Sequence, residues 1–430
     1  MTPTSTQSKS PSPSTSNLKK LLTSAILYKI CSIVILFFCT YATPFDASHL
    51  VIWPRAATQS IFDKFISTTL RWDIFHFYEI ARHGYVYEHL YAFLPGGPAV
   101  IRASSLILGE SLSSGMFWGS WFLVAGCSTL FTLYEITLLE TGSQQVAMLA
   151  TACSILTTSP ATLLHAPYAE PFFAFLTFRG ILHSTRREWN RAALYFAIAG
   201  LFRSNGILFA GFVVWGLVCI PFRQHSTPSL LSIVKATILT GLIATPFLAH
   251  LYSGYSQFCE GPSPQLWCGG QLPSIYNHVQ AKYWNVGVFK YWTVAQIPNF
   301  VIAFPPLAVI TWAGWTHMTR RGLADLHVVA YNSGIWLEPP SYSEPVASDV
   351  TLLAPGITPH AIHALLFSGI ILFASHVQII LRVSSSMPFM SWAVARLWVE
   401  HPKVAKWYAA WSILWGVTSL VTWGLFLPPA

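Results

Sequence analysis

Asp73 lies in the densest polar and aromatic stretch of an otherwise apolar chain. Around it stand Arg71, Trp72, His76, Glu79, Arg82, His83, Glu88 and His89, followed by the break Pro95-Gly96-Gly97-Pro98. Read as a helix over 72–83 that Gly84 ends, the stretch places Asp73, His76, Ile80 and His83 on roughly one face. A carboxylate there suits a general base that takes a proton from a hydroxyl. In an inverting glycosyl transfer, that hydroxyl attacks the anomeric carbon opposite the leaving group, as water does in an inverting glycosidase. If the leaving group is a lipid phosphate, no general acid is essential, and nearby cations stabilise the departing charge. Asp73 equally suits a structural role, capping or salt-bridging an interfacial helix. A metal site of Asp73, His76 and His83 is disfavoured because the spacing matches no standard ligand pattern.

Four further residues carry a charge or amide inside or beside apolar runs, where such groups are expensive and mark function by default. Glu170, in His165-Ala166-Pro167-Tyr168-Ala169-Glu170-Pro171, is either a site carboxylate or a helix N-terminal carboxylate favoured by the helix dipole. Arg203 and Asn205 interrupt a long apolar stretch. Arg203 either holds a lipid phosphate through paired hydrogen bonds or forms an internal ion pair with Asp73 or Glu170. Arg382, before Ser384-Ser385-Ser386-Met387-Pro388, either contacts a phosphate or acceptor or snorkels to the membrane interface. The aromatic and amide runs Tyr283-Trp284-Asn285-Val286-Gly287 and Tyr291 to Asn299 suit sugar contacts and an interfacial belt alike.

The elements that must position these residues are membrane helices. The 430-residue chain is 53% hydrophobic and 9% charged, against about a quarter charged in a soluble domain. Its net charge is +8, but no basic face or stripe of the kind nucleic acid requires is visible. Apolar runs long enough to span fall near residues 21–43, 115–139, 146–164, 167–182, 230–252, 297–315, 362–380 and 407–427, with 192–220 read as two short helices meeting near Arg203. That makes about ten spans in an all-α polytopic membrane domain over 19–430, preceded by a Ser/Thr/Pro-rich tail, 1–18, expected to be disordered. Lys19-Lys20 place the N-terminus in the cytosol, so the first connection, about 44–113, is lumenal. By the same parity the basic connector 183–191 and Arg320-Arg321 are cytosolic. Residues 384–400 read as an interfacial or re-entrant helix, and 323–360 resist assignment. Of seven cysteines, Cys259 and Cys268 share a polar lumenal loop where a disulfide can form.

The run Trp72-Asp73, His76, His83-Gly84-Tyr85, Tyr87-Glu88-His89, Ala92-Phe93, Pro95-Gly96 and Pro98 resembles the PIG-V family, GPI mannosyltransferase 2. Arg203-Ser204-Asn205-Gly206, Tyr283 to Gly287 with Gln296-Ile297-Pro298-Asn299, and Arg382 with its Ser-rich stretch match in the same order. Leu94 replaces an expected Phe, and 323–360 is divergent. The resemblance implies a GT-C fold with its active site at lumenal loops. It implies transfer of the second mannose, in α1,6 linkage, from dolichyl-phosphate-mannose to the GPI precursor in the endoplasmic reticulum. It further implies inversion, no metal or other cofactor, and in some members a small accessory membrane subunit. Asp73 becomes the base, with Trp72, His76, His83, Glu88, Glu170, Arg203, Asn205 and Arg382 as candidate donor or acceptor contacts. Rival readings are another transferase using the same donor and a transporter or flippase. Transporters often show paired repeats and mid-membrane sites. Here the polar features share one predicted face.

Overall fold

The apolar runs are long and lack strand-like alternation, and in hydrocarbon their peptide groups must pair internally. The computed structural model describes residues 15–53, 60–109, 111, 129–262, 264–271, 273–336 and 353–427, and every regular element among them is helical. Five of these helices are long and apolar enough to cross a membrane: Leu18–Cys39, Ser204–Arg223, Leu230–Cys259, Val294–Asn332 and Pro355–Ala374.

Of the other expected spans, 407–427 appears as the continuous helix Pro402–Gly424, and the rest are shorter or broken among the described residues. Residues 146–164 divide into Gln144–Ile155 and Pro160–Leu164. Pro160 has no N–H to donate, and it excludes Ser159 from the helical region, at φ −140° and ψ 67°. The second half of the 115–139 expectation appears as Leu130–Thr141; residues 112–128 lie outside the described residues. So do 1–14 of the expected tail, and the first helix already begins at Thr15. The span expected to stop at 315 continues to Asn332, π-helical across Met318–Gly322.

The helix at Pro388–Glu400 is packed inside the protein over most of its length. Pro388 through Leu397 are all buried. Its sequence is apolar on every side, which fits a helix enclosed all round. Its polar members are satisfied inside: the Trp392 indole donates to Thr137 Oγ1 at 2.8 Å, and the Arg396 guanidinium donates to Glu400 at 2.6 Å.

The break at Arg203 is as the sequence reading has it. Trp189–Gly200 stops, Arg203 is extended (φ −148°, ψ 138°), and a 3₁₀ turn Ser204–Phe209 restarts the chain. Two glycines fix this break. A Cβ on Gly206 would meet the Gly200 backbone at 2.8 Å, and one on Gly96 would meet the Leu201 carbonyl at 2.8 Å. Gly96 N–H donates to that same carbonyl at 2.7 Å. The Pro95-Gly96 break and the Arg203 break are thereby locked together, which brings the first connection against the bundle.

That connection is itself folded. Ser60 and Asp63 form a reciprocal capping box on Ile61–Thr69. Gly84, at φ 77°, ends Ile74–His83. Leu36, Ile66, Leu70, Ile74, Phe77 and Ile101 pack with Tyr168 and Trp423 into a core of their own. Residues 54–59 of this connection lie outside the described residues.

Helix Ile297–His317 rises about 30 Å at 1.5 Å per residue. Near its start, Asn299 bonds the Tyr291 hydroxyl, whose ring stacks on His376. At its far end His317 meets Thr358, which donates to the buried Asp325 at 2.9 Å, with Arg321 and Arg223 beside it. The two ends of the bundle therefore carry separate polar groups.

Candidate active site

Arg71 aims the Trp72-Asp73 pair. Its guanidinium is buried and donates to the carbonyls of Ser67, Leu70 (3.1 Å) and Gly424 (3.2 Å), and it lies over the Phe426 ring. This ties the first connection to the end of the last helix. Trp72 follows at φ 60°, a left-handed conformation that costs a bulky residue about 1–3 kcal/mol and persists only when its surroundings impose it. The turn leaves Asp73 at the N-cap of Ile74–His83, yet its side chain makes no capping bond. Its backbone N–H donates to the Tyr168 hydroxyl at 3.0 Å. The carboxylate is thus free of its own helix and lines a cavity of about 1140 Å³.

The cavity gathers residues from distant parts of the chain. Trp72, Asp73, Glu170, Arg203, Asn205 and Arg382 all line it. Arg382 donates to Asp73 Oδ2 at 3.3 Å and its nitrogen lies 3.8 Å from Glu170 Oε1. Arg203 donates to that same Glu170 oxygen at 2.6 Å. Glu170 is 3% exposed, whereas Arg382 keeps 22% of its side chain open to the cavity. Two carboxylates and two guanidiniums therefore form one chain, with Asp73 at its more open end. Of the two readings left open for Arg203, the ion pair with Glu170 is the one present, and the pair itself faces the cavity. Arg382 does not snorkel to an interface; its partner Asp73, 309 residues away in sequence, holds it inside.

Three expected members lie elsewhere. The buried stripe of Ile74–His83 is Ile74, Phe77, Ile80 and Ala81. Ile80 therefore points into the core, and His83 is exposed, because the apolar period leaves it on the far side. His76 sits at the edge of the stripe, stacked on Phe93 at 4.7 Å between ring centres. Burial lowers the pKa of its imidazole, against the opposing pull of Asp73. Glu88 is outside the cavity altogether. It accepts from Lys282 (2.8 Å), Trp267 (2.9 Å) and Tyr283 (3.1 Å), with His278 at 3.3 Å. Burial would raise its carboxyl pKa, but these donors outweigh it and the net shift is downward.

Cys259 and Cys268 are joined by a disulfide. It pins the loop that carries Trp267 to the end of the Leu230–Cys259 helix. A closed loop of this size gains about 2–3 kcal/mol from restricting the unfolded chain. Cys259→Ser is expected to lower thermal stability by that amount. Reductant should reproduce the loss in the parent protein and have no further effect on the variant. Melting curves of the detergent-purified proteins read both.

Sequence reading missed several cavity residues. Tyr276, Asn277 and Gln280 reach the cavity from Ile275–Trp284, and Ser204 bonds the Tyr276 hydroxyl at 2.8 Å. Their spacing of three to four was the available signal. Lys290 adds a further cation to the lining. Tyr168 was visible only as part of a polar turn; its contact with Asp73 depends on the tertiary fold. Conversely, Asn299 bonds Tyr291 and Gln296 and serves the scaffold.

Among the described residues, no group of three or more His, Cys, Asp or Glu is placed to hold a metal ion. What the cavity offers is a partly exposed carboxylate beside two guanidiniums, in an apolar and aromatic wall.

The mannosyltransferase (PIG-V) family matches residues 18–430. The mouse protein named GPI alpha-1,6-mannosyltransferase 2 is 29% identical over 429 aligned residues, covering 88% of this chain and 84% of its own. GPI mannosyltransferase 2 of Gibberella zeae is 32% identical, covering 84% and 85%. That of Schizosaccharomyces pombe is 27% identical, covering 95% and 83%. No solved structure gives a match. With a match across nearly its whole length, this chain belongs to the PIG-V mannosyltransferase family.

Proposed function

We propose that this protein is an α1,6-mannosyltransferase of GPI-anchor biosynthesis, adding the second mannose to the mannosylated GPI precursor. The observation that carries this reading is the meeting of Asp73, Glu170, Arg203 and Arg382 in one cavity at one end of the bundle. The relatives' names supply the acceptor and linkage. The donor is dolichyl-phosphate-mannose. Asp73 takes the proton from the acceptor's 6-hydroxyl. That oxygen bonds to the anomeric carbon, the bond from this carbon to the phosphate oxygen breaks, and dolichyl phosphate leaves with the electron pair. A β-linked donor thus gives an α-linked product.

In this reading Arg382, with Arg203 behind it, meets the negative charge that grows on the leaving phosphate, so the transfer needs no metal. Binding the phosphate also draws Arg382 off Asp73 and leaves the carboxylate available as a base. The bundle is a GT-C-type membrane domain in the endoplasmic reticulum, with the cavity lumenal and the N-terminus cytosolic. Two features support that orientation. The disulfide lies in a loop beside the connection that carries Asp73, and an oxidising lumen permits it. The Arg321 end of the bundle is separate from the cavity end.

Purified protein in lipid nanodiscs tests the reaction. Given a one-mannose GPI acceptor, it is expected to transfer mannose from dolichyl-phosphate-mannose and not from a nucleotide-linked mannose. The product should be cleaved by an α1,6-specific mannosidase. Transfer from the nucleotide donor, or an α1,2 product, would contradict the assignment.

A further inference from the structure

An aromatic run leads out of the cavity. Phe93 and Trp284 line it. His76 stacks on Phe93 (4.7 Å) and stands edge-on to Trp284 (6.2 Å) and His89 (5.6 Å). His89 in turn stacks on Tyr87 (5.7 Å, 11° between planes) and lies 5.8 Å from Tyr283, which borders Trp284 at 6.0 Å. The outermost rings are open: Tyr87 is 56% exposed and Tyr283 46%.

Three properties set this run apart from an interfacial belt. The rings touch one another without a gap from the cavity wall to the surface, whereas belt residues act singly at the headgroup level. Tyr87, His89, His76 and Tyr283 each carry a polar edge beside an apolar face, the combination that stacks on a sugar's C–H face while bonding its hydroxyls. The two strands of the run are also held rigid. Glu88 joins Tyr87-Glu88-His89 to Lys282 and Tyr283, and the Cys259–Cys268 loop supplies Trp267 to the same carboxylate. A half-buried carboxylate that gathers several donors from two segments keeps the surface pre-formed for a ligand.

We infer that this run is a binding track for the sugar chain of the acceptor. The terminal mannose enters at Phe93 and Trp284, and the inner pyranose and inositol rings lie over His89, Tyr87 and Tyr283. The inference rests on the proposed mannosyl transfer. It adds that the enzyme recognises several sugar rings of its acceptor and does so outside the cavity.

The test uses the full chain in nanodiscs with two acceptors: the one-mannose GPI glycolipid, and a short alkyl α-mannoside that carries only the terminal sugar. The wild type is expected to prefer the glycolipid. His89→Ala and Tyr283→Ala should each shrink that preference about tenfold, with the loss in the KM for the glycolipid. Tyr283→Phe, which keeps the ring, should retain most of the preference. An equal loss on both acceptors, or a rise in the donor KM instead, would overturn the track. Melting curves of each variant separate a folding defect from a binding one. If the wild type transfers mannose to neither acceptor, the proposed reaction fails, a result distinct from failure of the track.

Discussion

Asp73→Asn is expected to lower kcat by about 10²–10⁴-fold, the range a general base contributes. The change is isosteric. It keeps the Asp73 backbone bond to Tyr168 and the side-chain oxygen that faces Arg382 at 3.3 Å, so the fold should persist. Donor KM should change little, because the phosphate contacts belong to the arginines. Asp73→Ala should be equally inactive and somewhat less stable than Asp73→Asn, since it also removes the oxygen that faces Arg382, though Asp73 caps nothing and is partly open. Initial rates and melting curves on the same preparations check both points. A variant with near-normal kcat would remove Asp73 as the base and leave Glu170 as the remaining cavity carboxylate.

The largest stability effect is expected at Glu170. Its Oε1 atom faces Arg203 at 2.6 Å and Arg382 at 3.8 Å, at 3% exposure. Removing one member of a buried ion pair costs about 3–5 kcal/mol, because it strands the other charge. Here two guanidiniums lose their shared partner, and water reaches them only from the cavity side. Glu170→Ala should therefore reduce the yield of folded protein severely. Glu170→Ala combined with Arg203→Leu should recover part of the loss, since the closer stranded charge is removed as well. A double-mutant cycle on melting temperature reads the coupling. Additive effects would mean that the pair contributes nothing to the fold.

The sequence made the membrane class plain, because 9% charge admits no soluble surface. It also marked the Asp73 stretch as the densest polar interruption of an apolar chain, while leaving catalysis and a structural role for Asp73 both open. The helix break at Arg203 was readable for the same reason: Arg203-Ser204-Asn205-Gly206 cannot continue an apolar helix. What could not be read is pairing. Nothing local tells that Arg382 faces Asp73, or that one oxygen of Glu170 serves two arginines. Those contacts join residues 33 to 309 positions apart.

Apolarity also hides depth. A helix facing lipid and one packed inside protein both read as apolar segments, so the enclosure of Pro388 through Leu397 was not legible. His83 was misjudged through helical phase: the strongest apolar period, Ile74, Phe77, Ile80 and Ala81, claims the core and turns His83 away. The position of Glu88 outside the cavity was not legible because its partners, Trp267, Lys282 and Tyr283, lie about 180–195 residues on. A carboxylate in a polar loop cannot be told from a catalytic one until its donors are known.

The most direct measurement of the central claim is the lipid profile of cells whose only copy of this protein is Asp73→Asn. Radiolabelled mannose is followed into the GPI intermediates by thin-layer chromatography. The account predicts accumulation of the one-mannose intermediate in cells whose membranes contain normal amounts of the variant. A normal profile would contradict Asp73 as the base. Accumulation of a two-mannose intermediate would contradict the assigned transfer step.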